Sequence, residues 1–246
     1  MSRTPLNPAV ASISAFFPCY NDEATIGSMV NLALVTIDKV GAEGEVIVID
    51  DGSSDGSPHV LKELVDEHPR LRVITHEQNR GYGGALRSGF GAATKQWVFY
   101  TDGDAQFDPA ELELLVDRAG PDVDVVQGYK IRRADNIVRR VIGRVYHRSV
   151  SIMFGLKIRD TDCDFRLIRR ELLERINLEH NTGVICVELV RKLQDAGARF
   201  VEVPVHHYPR LHGQSQFFKL PAVASTGRDL IVMWFRLVVF RRRSPA

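Results

Sequence analysis

The sequence has no long apolar run. None of its stretches reaches the ~18 apolar residues expected of a membrane span. The nearest, Leu230 to Phe240, is too short and carries Arg236 in its middle. Cysteine is scarce: Cys19, Cys163 and Cys186 lie far apart and form no metal-ligand spacing, so reduced thiols of a cytosolic protein are expected. Charge of one sign is lacking too. Lys and Arg number 32 against 31 Asp and Glu, a net charge of +1, and no nucleic-acid partner is expected. From Met1 to Pro8 no positive segment precedes an apolar core, so no signal peptide is expected. There is no internal repeat and no low-complexity linker.

What is present is ordinary in amount and uneven in place. The chain has 246 residues, 44% hydrophobic and 26% charged, enough for one sizeable α/β domain or one domain plus appendages. Short apolar runs at Ile13–Phe17, Glu45–Ile49, Leu71–Thr75, Trp97–Tyr100, Val123–Gln127 and Val201–Val205 read as strands. Helical patterns start near Ala24, Pro58, the Gly-rich Asn79–Ala85 stretch and Pro109. This alternation predicts an α/β fold, a mostly parallel sheet with helices on both faces.

The chain is organised around Trp97-Val98-Phe99-Tyr100-Thr101-Asp102-Gly103-Asp104-Ala105-Gln106. A buried strand runs straight into Asp-Gly-Asp, and ligands of open α/β sheets bind beyond the carboxyl ends of strands. Two carboxylates placed there suit a hard cation, Mg²⁺ or Mn²⁺, with positions left for substrate phosphates. Gly103 would supply the sharp turn, and Gln106 a carbonyl oxygen or a hold on a bound water. The plainer account is an acidic loop in which Asp108-Pro109 starts a helix. The Asp50-Asp51 pair at another strand end suits a ribose or base, or else the capping of the next helix. The Asn79–Ala85 loop is shaped like a phosphate cradle but lacks the order of a dinucleotide fingerprint and the Lys of a P-loop.

Taken together, Phe17-Pro18-Cys19-Tyr20-Asn21-Asp22-Glu23, Val48 to Gly56, Asn79-Arg80-Gly81 and Asp102 to Gln106 resemble the ordered motifs of inverting family 2 glycosyltransferases of GT-A fold. The likeness covers roughly residues 12 to 220 and leans to the polyprenyl-phosphate branch that includes dolichyl-phosphate mannose synthase. It implies that Pro18, Tyr20, Glu23 and Asp51 hold the nucleoside. It also implies that Asp102, Asp104 and Gln106 hold the metal and, through it, the diphosphate. Lys130 and Arg144 are implied near an acceptor phosphate, Lys130 standing where the mannose synthases often have Arg. Arg159 to Leu167 resembles the segment closing the acceptor side, with Asp164 where relatives usually have Gly. Glu188 matches an acidic position of the family, or else forms a surface pair with Arg191 or Lys192. His206 to Ser215 resembles the family's Arg-x-x-Gly-x-Ser loop, with Arg210 set to close over the diphosphate and Gly213 as its hinge. The spacing of His206, His207 and His212 is not that of zinc ligands.

Residues 137–154 read as an amphipathic basic helix, with Arg139, Arg140, Arg144 and Arg148 among Ile137, Val138, Val141, Ile142 and Val145. Such a helix suits anionic headgroups and the phosphate of a polyprenyl acceptor, or simply presents a solvated cationic face. The expected organisation is a glycosyltransferase domain over 1–220 and an amphipathic basic tail helix over 221–246. The expected activity is transfer of a hexose, mannose from GDP-mannose, to polyprenyl or dolichyl monophosphate with inversion. Asp104, Arg210, Arg144 and Lys130 would act on the reacting groups, and Lys130, Arg144 and Arg148 on the acceptor phosphate. The expected location is peripheral, on the cytoplasmic face of a membrane, with a membrane-protein partner possible. Competing expectations are a UDP-glucose-dependent polyprenyl-phosphate glucosyltransferase, a family 2 transferase using a hydroxyl acceptor with Asp162 or Asp164 as base, and a binding module without turnover.

Overall fold

The computed structural model describes residues 7–132, 137–210 and 220–240, with the backbone alone for 132, 137–142, 144 and 220–225. The continuous apolar runs form strands that are covered on both faces. β1 (Ser12–Cys19), β2 (Glu43–Asp50), β3 (Leu71–Thr75) and β4 (Trp97–Thr101) are parallel to one another, with Ala15 beside both Val46 and Phe99. β5 (Val125–Arg132), β6 (Phe165–Arg169) and β7 (Phe200–His206) complete a seven-stranded sheet of order β3-β2-β1-β4-β6-β5-β7. β6 runs antiparallel to β4 and β5, while β5 and β7 pair in parallel.

The helices are α1 (Ile26–Lys39), α2 (Ser57–Glu67), α3 (Tyr82–Ala92), α4 (Leu112–Val116), α5 (Ile137–Phe154), α6 (Arg170–Leu173), α7 (Ile185–Asp195) and α8 (Leu220–Trp234). Alternation along the strands sends side chains to opposite faces. Ala15, Phe17 and Phe99 bury against Met29, Val30 and Ile37 of α1, on the face that also takes α2 and α4. Phe16, Val98 and Tyr100 bury against Leu86 and Phe90 of α3 and Leu189 of α7. Each such side chain contributes about 1.5–3 kcal/mol by leaving water. A third cluster joins Val150 and Phe154 of α5, Val187 and Val190 of α7, and Leu230 and Met233 of α8. The expected tail helix thus packs its inner face onto the body, and continues as a π-helical turn over Phe235–Val239.

Two elements differ from the sequence reading. The strand expected at Val123–Gln127 starts at Val125 and runs on to Arg132, which places Lys130 inside the sheet. Phe165–Arg169, expected only as a closing segment, is a strand. Its fully buried Arg166 interrupts the apolar pattern that marks a strand. Because α1 and α2 lie on one face and α3 on the other, the sheet reverses its order between β1 and β4. In sheets of this order the ligand crevice lies beyond the carboxyl ends of the strands at the point of reversal, here those of β1 and β4.

Candidate active site

The loops leaving β1 and β2 are laced together along one side of the crevice. Asn21, held at φ 58°, accepts from the Ser54 N–H through Oδ1 at 2.8 Å. The Asp22 N–H donates to Ser57 Oγ at 3.1 Å. Glu23 Oε2 accepts from the Gly56 N–H at 2.6 Å, and the Glu23 N–H donates to Asp55 Oδ2 at 3.1 Å. Glu23 therefore serves to lock two loops. Asp51 is buried, and its carboxylate accepts from the N–H groups of Arg80 (2.8 Å) and Gly81 (2.9 Å) and meets His76 Nδ1 at 2.6 Å. The other ring nitrogen of His76 meets Ser88 Oγ of α3 at 2.9 Å. Asp51 thus holds the loop before α3. Pro18 lies buried at the end of β1, and Tyr20 stands exposed beside it.

On the other side, β4 delivers Asp102 and Asp104. The sharp turn falls on Ala105, at φ 58°, and not on Gly103 as expected. Gly103 answers a different need: a Cβ there would lie 2.8 Å from the Pro18 carbonyl oxygen, so only glycine lets this loop approach β1. The Thr25 hydroxyl donates to the Gly103 carbonyl at 2.8 Å. Tyr82 donates its hydroxyl to Asp102 Oδ1 at 2.7 Å. Asp104 accepts from the Gln106 N–H at 3.0 Å and forms an ion pair with the Arg210 guanidinium. The loop after β7 is clasped here, for the Tyr208 N–H donates to the Gln106 carbonyl at 2.8 Å and Gln106 Nε2 donates back to the Tyr208 carbonyl at 3.2 Å. Gly213 and His212 lie outside the described residues. His206 is held by Glu111, and His207 packs edge-on to Phe107.

Carboxylates crowd the floor. Burial pushes Asp102 well above the usual carboxylate range, and Asp164 and Asp104 push the same way. Burial raises Asp104 too, with Arg210 pulling it down. Asp22 is pushed up to about 6 by burial, with Asp104 adding to it. Such mutual repulsion in a buried crevice is the environment a divalent cation relieves. Among the described residues no three His, Cys, Asp or Glu side chains group to hold a metal alone. The Asp102 and Asp104 carboxylates fit an Mg²⁺ or Mn²⁺ ion that takes its remaining oxygens from water and substrate phosphate.

Asp164 does not cap a turn. It accepts from Arg166 Nη1 at 2.6 Å and from the Tyr100 hydroxyl at 3.1 Å, and Cys186 Sγ lies 3.4 Å away. Burial raises it to about 6. Arg166 also donates to the Thr161 carbonyl at 2.6 Å, to Gln127 Oε1 at 2.5 Å and to the Tyr100 hydroxyl. Lys130 Nζ donates to the Asp162 carbonyl at 2.6 Å and lies 5.9 Å above the Phe107 ring, and its charge lowers the pKa of both Asp104 and Asp164. The structure therefore brings Lys130, Arg210, Asp102, Asp104 and Gln106 to one crevice. Arg148 is exposed on α5, and the side chain of Arg144 lies outside the described residues.

The sequence reading missed Tyr82, Tyr100 and Arg166, and it left Glu188 between a family position and the surface. Glu188 is 1% exposed. It accepts from the N–H groups of Glu179 (3.0 Å) and His180 (3.1 Å) and pairs with Lys192 Nζ at 2.6 Å and His180 Nδ1 at 2.9 Å. A polar residue within an otherwise buried strand is the signal for Arg166, and an acid at i−4 from a lysine the signal for Glu188; no local signal marks Tyr82.

The family model described as Glycosyl transferase family 2 matches residues 14–176. Among solved structures, glucosyl-3-phosphoglycerate synthase from Mycobacterium tuberculosis, in complex with phosphoglyceric acid, is similar at 23% identity, covering 94% of this chain and 81% of that one, with a TM-score of 0.71. The same synthase in complex with Mn²⁺, UDP and glucosyl-3-phosphoglycerate is similar at 22% identity, with the same coverage and TM-score. A mycobacterial protein matches at 24% identity, covering 92% of this chain and 74% of that one, with a TM-score of 0.67. These likenesses establish the fold, GT-A.

Proposed function

The chain belongs to glycosyl transferase family 2, and we propose that its site moves a hexose from a nucleotide sugar onto the phosphate of a polyprenyl monophosphate. The observation that carries this reading is the crevice at the ends of β1 and β4. There Asp102 and Asp104 lie with Arg210 and Lys130, while the Asp164 carboxylate is tied to Arg166 and Tyr100. A hydroxyl acceptor needs a base. Of the two acids that could serve, Asp164 is buried and committed to a guanidinium, so the hydroxyl-acceptor rival rests on Asp162. A phosphate monoester, with its second pKa near ~6, is mostly a dianion at neutral pH and needs none.

In this reading Asp102 and Asp104 hold Mg²⁺ or Mn²⁺, whose chemistry is to stabilise the charge of the leaving nucleoside diphosphate. Arg210 adds a charge-assisted contact to that diphosphate as it leaves, exchanging its Asp104 partner for phosphate. Lys130 and Arg144 orient the acceptor phosphate, whose oxygen attacks the anomeric carbon in line and inverts it. The β1 and β2 loops, with Pro18, Tyr20, Glu23 and Asp51, shape the nucleoside side. The outer face of α5 exposes Arg148 beside Val145 and Ile152, and α8 with its π-turn exposes Val232, Phe235, Val239 and Phe240. Basic and apolar groups so mixed suit a membrane surface, which is where a polyprenyl acceptor is found. Among the described residues no helix is long and apolar enough to cross a membrane.

The Asp-x-Asp-x-Gln arrangement at Asp102, Asp104 and Gln106, which looks most like that of mannose synthases, favours GDP-mannose as donor. UDP-glucose is the second reading, favoured by solved relatives that hold Mn²⁺ with UDP-glucose. One incubation separates them. The protein is mixed with Mn²⁺, polyprenyl phosphate, 3-phosphoglycerate and equimolar GDP-mannose, UDP-glucose and UDP-N-acetylglucosamine, and products are read by mass spectrometry. Hexosyl-phosphoryl lipid with released GDP is the expected result; released UDP shifts the donor to glucose. Sugar on phosphoglycerate alone, or on a hydroxyl acceptor alone, would refute the lipid-phosphate reading.

A further inference from the structure

The Gly-rich stretch before α3 already commits three of its N–H groups to fixed partners within the protein. Those of Arg80 and Gly81 donate to Asp51, and that of Gly83 donates to the Asn181 carbonyl at 2.8 Å. Gly81, at φ 80°, brings the backbone so close that a Cβ would lie 2.6 Å from the Asn181 carbonyl oxygen. Asp51 is braced from behind by His76, and His76 by Ser88 of the same helix. The segment around residue 180 is in turn gripped by Glu188. The start of α3 is therefore fixed from three directions, and the first side chain it presents is Tyr82.

We infer that Tyr82 is a positioning residue for Asp102, its hydroxyl fixing the carboxylate in the orientation from which it meets the divalent cation and the donor diphosphate. The inference rests on the proposed glycosyl transfer. A carboxylate at the end of a strand rotates about two torsions, and one hydrogen bond at 2.7 Å to Oδ1 removes that freedom. The geometry also explains the Gly-rich loop, which joins the Asp51 side of the crevice to the Asp102 side through a rigid helix start.

Tyr82→Phe keeps the ring that packs on the core and deletes the hydroxyl. Mn²⁺ affinity is read by electron paramagnetic resonance in the presence of UDP and, separately, GDP, and is expressed per folded molecule as judged by circular dichroism. Loss of one charge-assisted hydrogen bond predicts about 10-fold or greater weakening of Mn²⁺ binding. The apparent KM for donor should rise with it, and the KM for acceptor should stay within about 2-fold, by the same arithmetic. Wild-type Mn²⁺ affinity in Tyr82→Phe, or a loss that vanishes once corrected for the folded fraction, would overturn the positioning role alone. Failure of the wild-type protein to bind Mn²⁺ with either nucleotide would overturn the glycosyl-transfer reading and this inference with it.

Discussion

Replacing Glu188 by Gln should destabilise the protein near neutrality and do so less in acid. Glu188 is buried, and burial alone would raise its pKa; bonds from the His180 ring, Lys192 and the His180 N–H overcome this and hold it at about 2, against 4.5 as the ordinary value. A group whose folded pKa is depressed contributes stability above its unfolded pKa and loses it as pH falls through the folded one. The 2.5-unit difference between those two values corresponds to about 3 kcal/mol at pH 7, falling to roughly half of that by pH 3. Glu188→Gln keeps the shape and removes the charge, so it should lose a comparable amount, or roughly 6–12 °C in Tm for a chain of this size. Urea unfolding followed by circular dichroism at pH 7 and pH 3 measures both values. Equal stability of the two proteins at pH 7, or a deficit that is undiminished at pH 3, would refute the argument. Because Glu188 grips the segment under α3, the variant should also bind Mn²⁺ with nucleotide more weakly.

Other expectations follow from the same geometry. Asp102→Asn and Asp104→Asn should each lower turnover by about 100-fold or more, as removal of a major electrostatic group does; steady-state rates near wild type would exclude the pair as metal ligands. Arg166→Met should cost about 3–5 kcal/mol in chemical denaturation, because it breaks a buried pair and takes from Asp164 its cationic partner. Adding Asp164→Leu should recover part of that loss, and no recovery in the double variant would show that the pair is not coupled. Arg144→Ala should raise the KM for polyprenyl phosphate more than that for donor, measured with each substrate varied in turn.

The parallel half of the sheet was legible because its strands read as short apolar runs, and the fully buried Trp97 strand and the half-buried Leu71–Thr75 at the edge stand where the pattern put them. The helix over Ile137–Phe154 was legible from basic residues interleaved with apolar ones. β6 was not, since Arg166, its second residue, is buried by partners that come from β4, β5 and the 161 segment. Such partners are distant in sequence and leave no local period. The carboxylates at the end of β4 could be found from their place after a strand. What holds them could not: Tyr82 is 20 residues away from Asp102 and Arg210 is 106 away from Asp104. The fate of Asp51 was equally hidden, because an acid after a strand looks the same whether it faces a ribose or accepts from the loop beside it.

The central claim is that Asp102 and Asp104 hold a divalent cation together with a nucleoside diphosphate. Isothermal titration calorimetry of UDP and GDP, each with Mn²⁺ and with EDTA, against wild type and Asp104→Asn, tests it most directly. The account predicts Mn²⁺-dependent binding of at least one nucleotide to wild type and its loss in the variant. Binding that is equally tight in EDTA, or unchanged in Asp104→Asn, would contradict it.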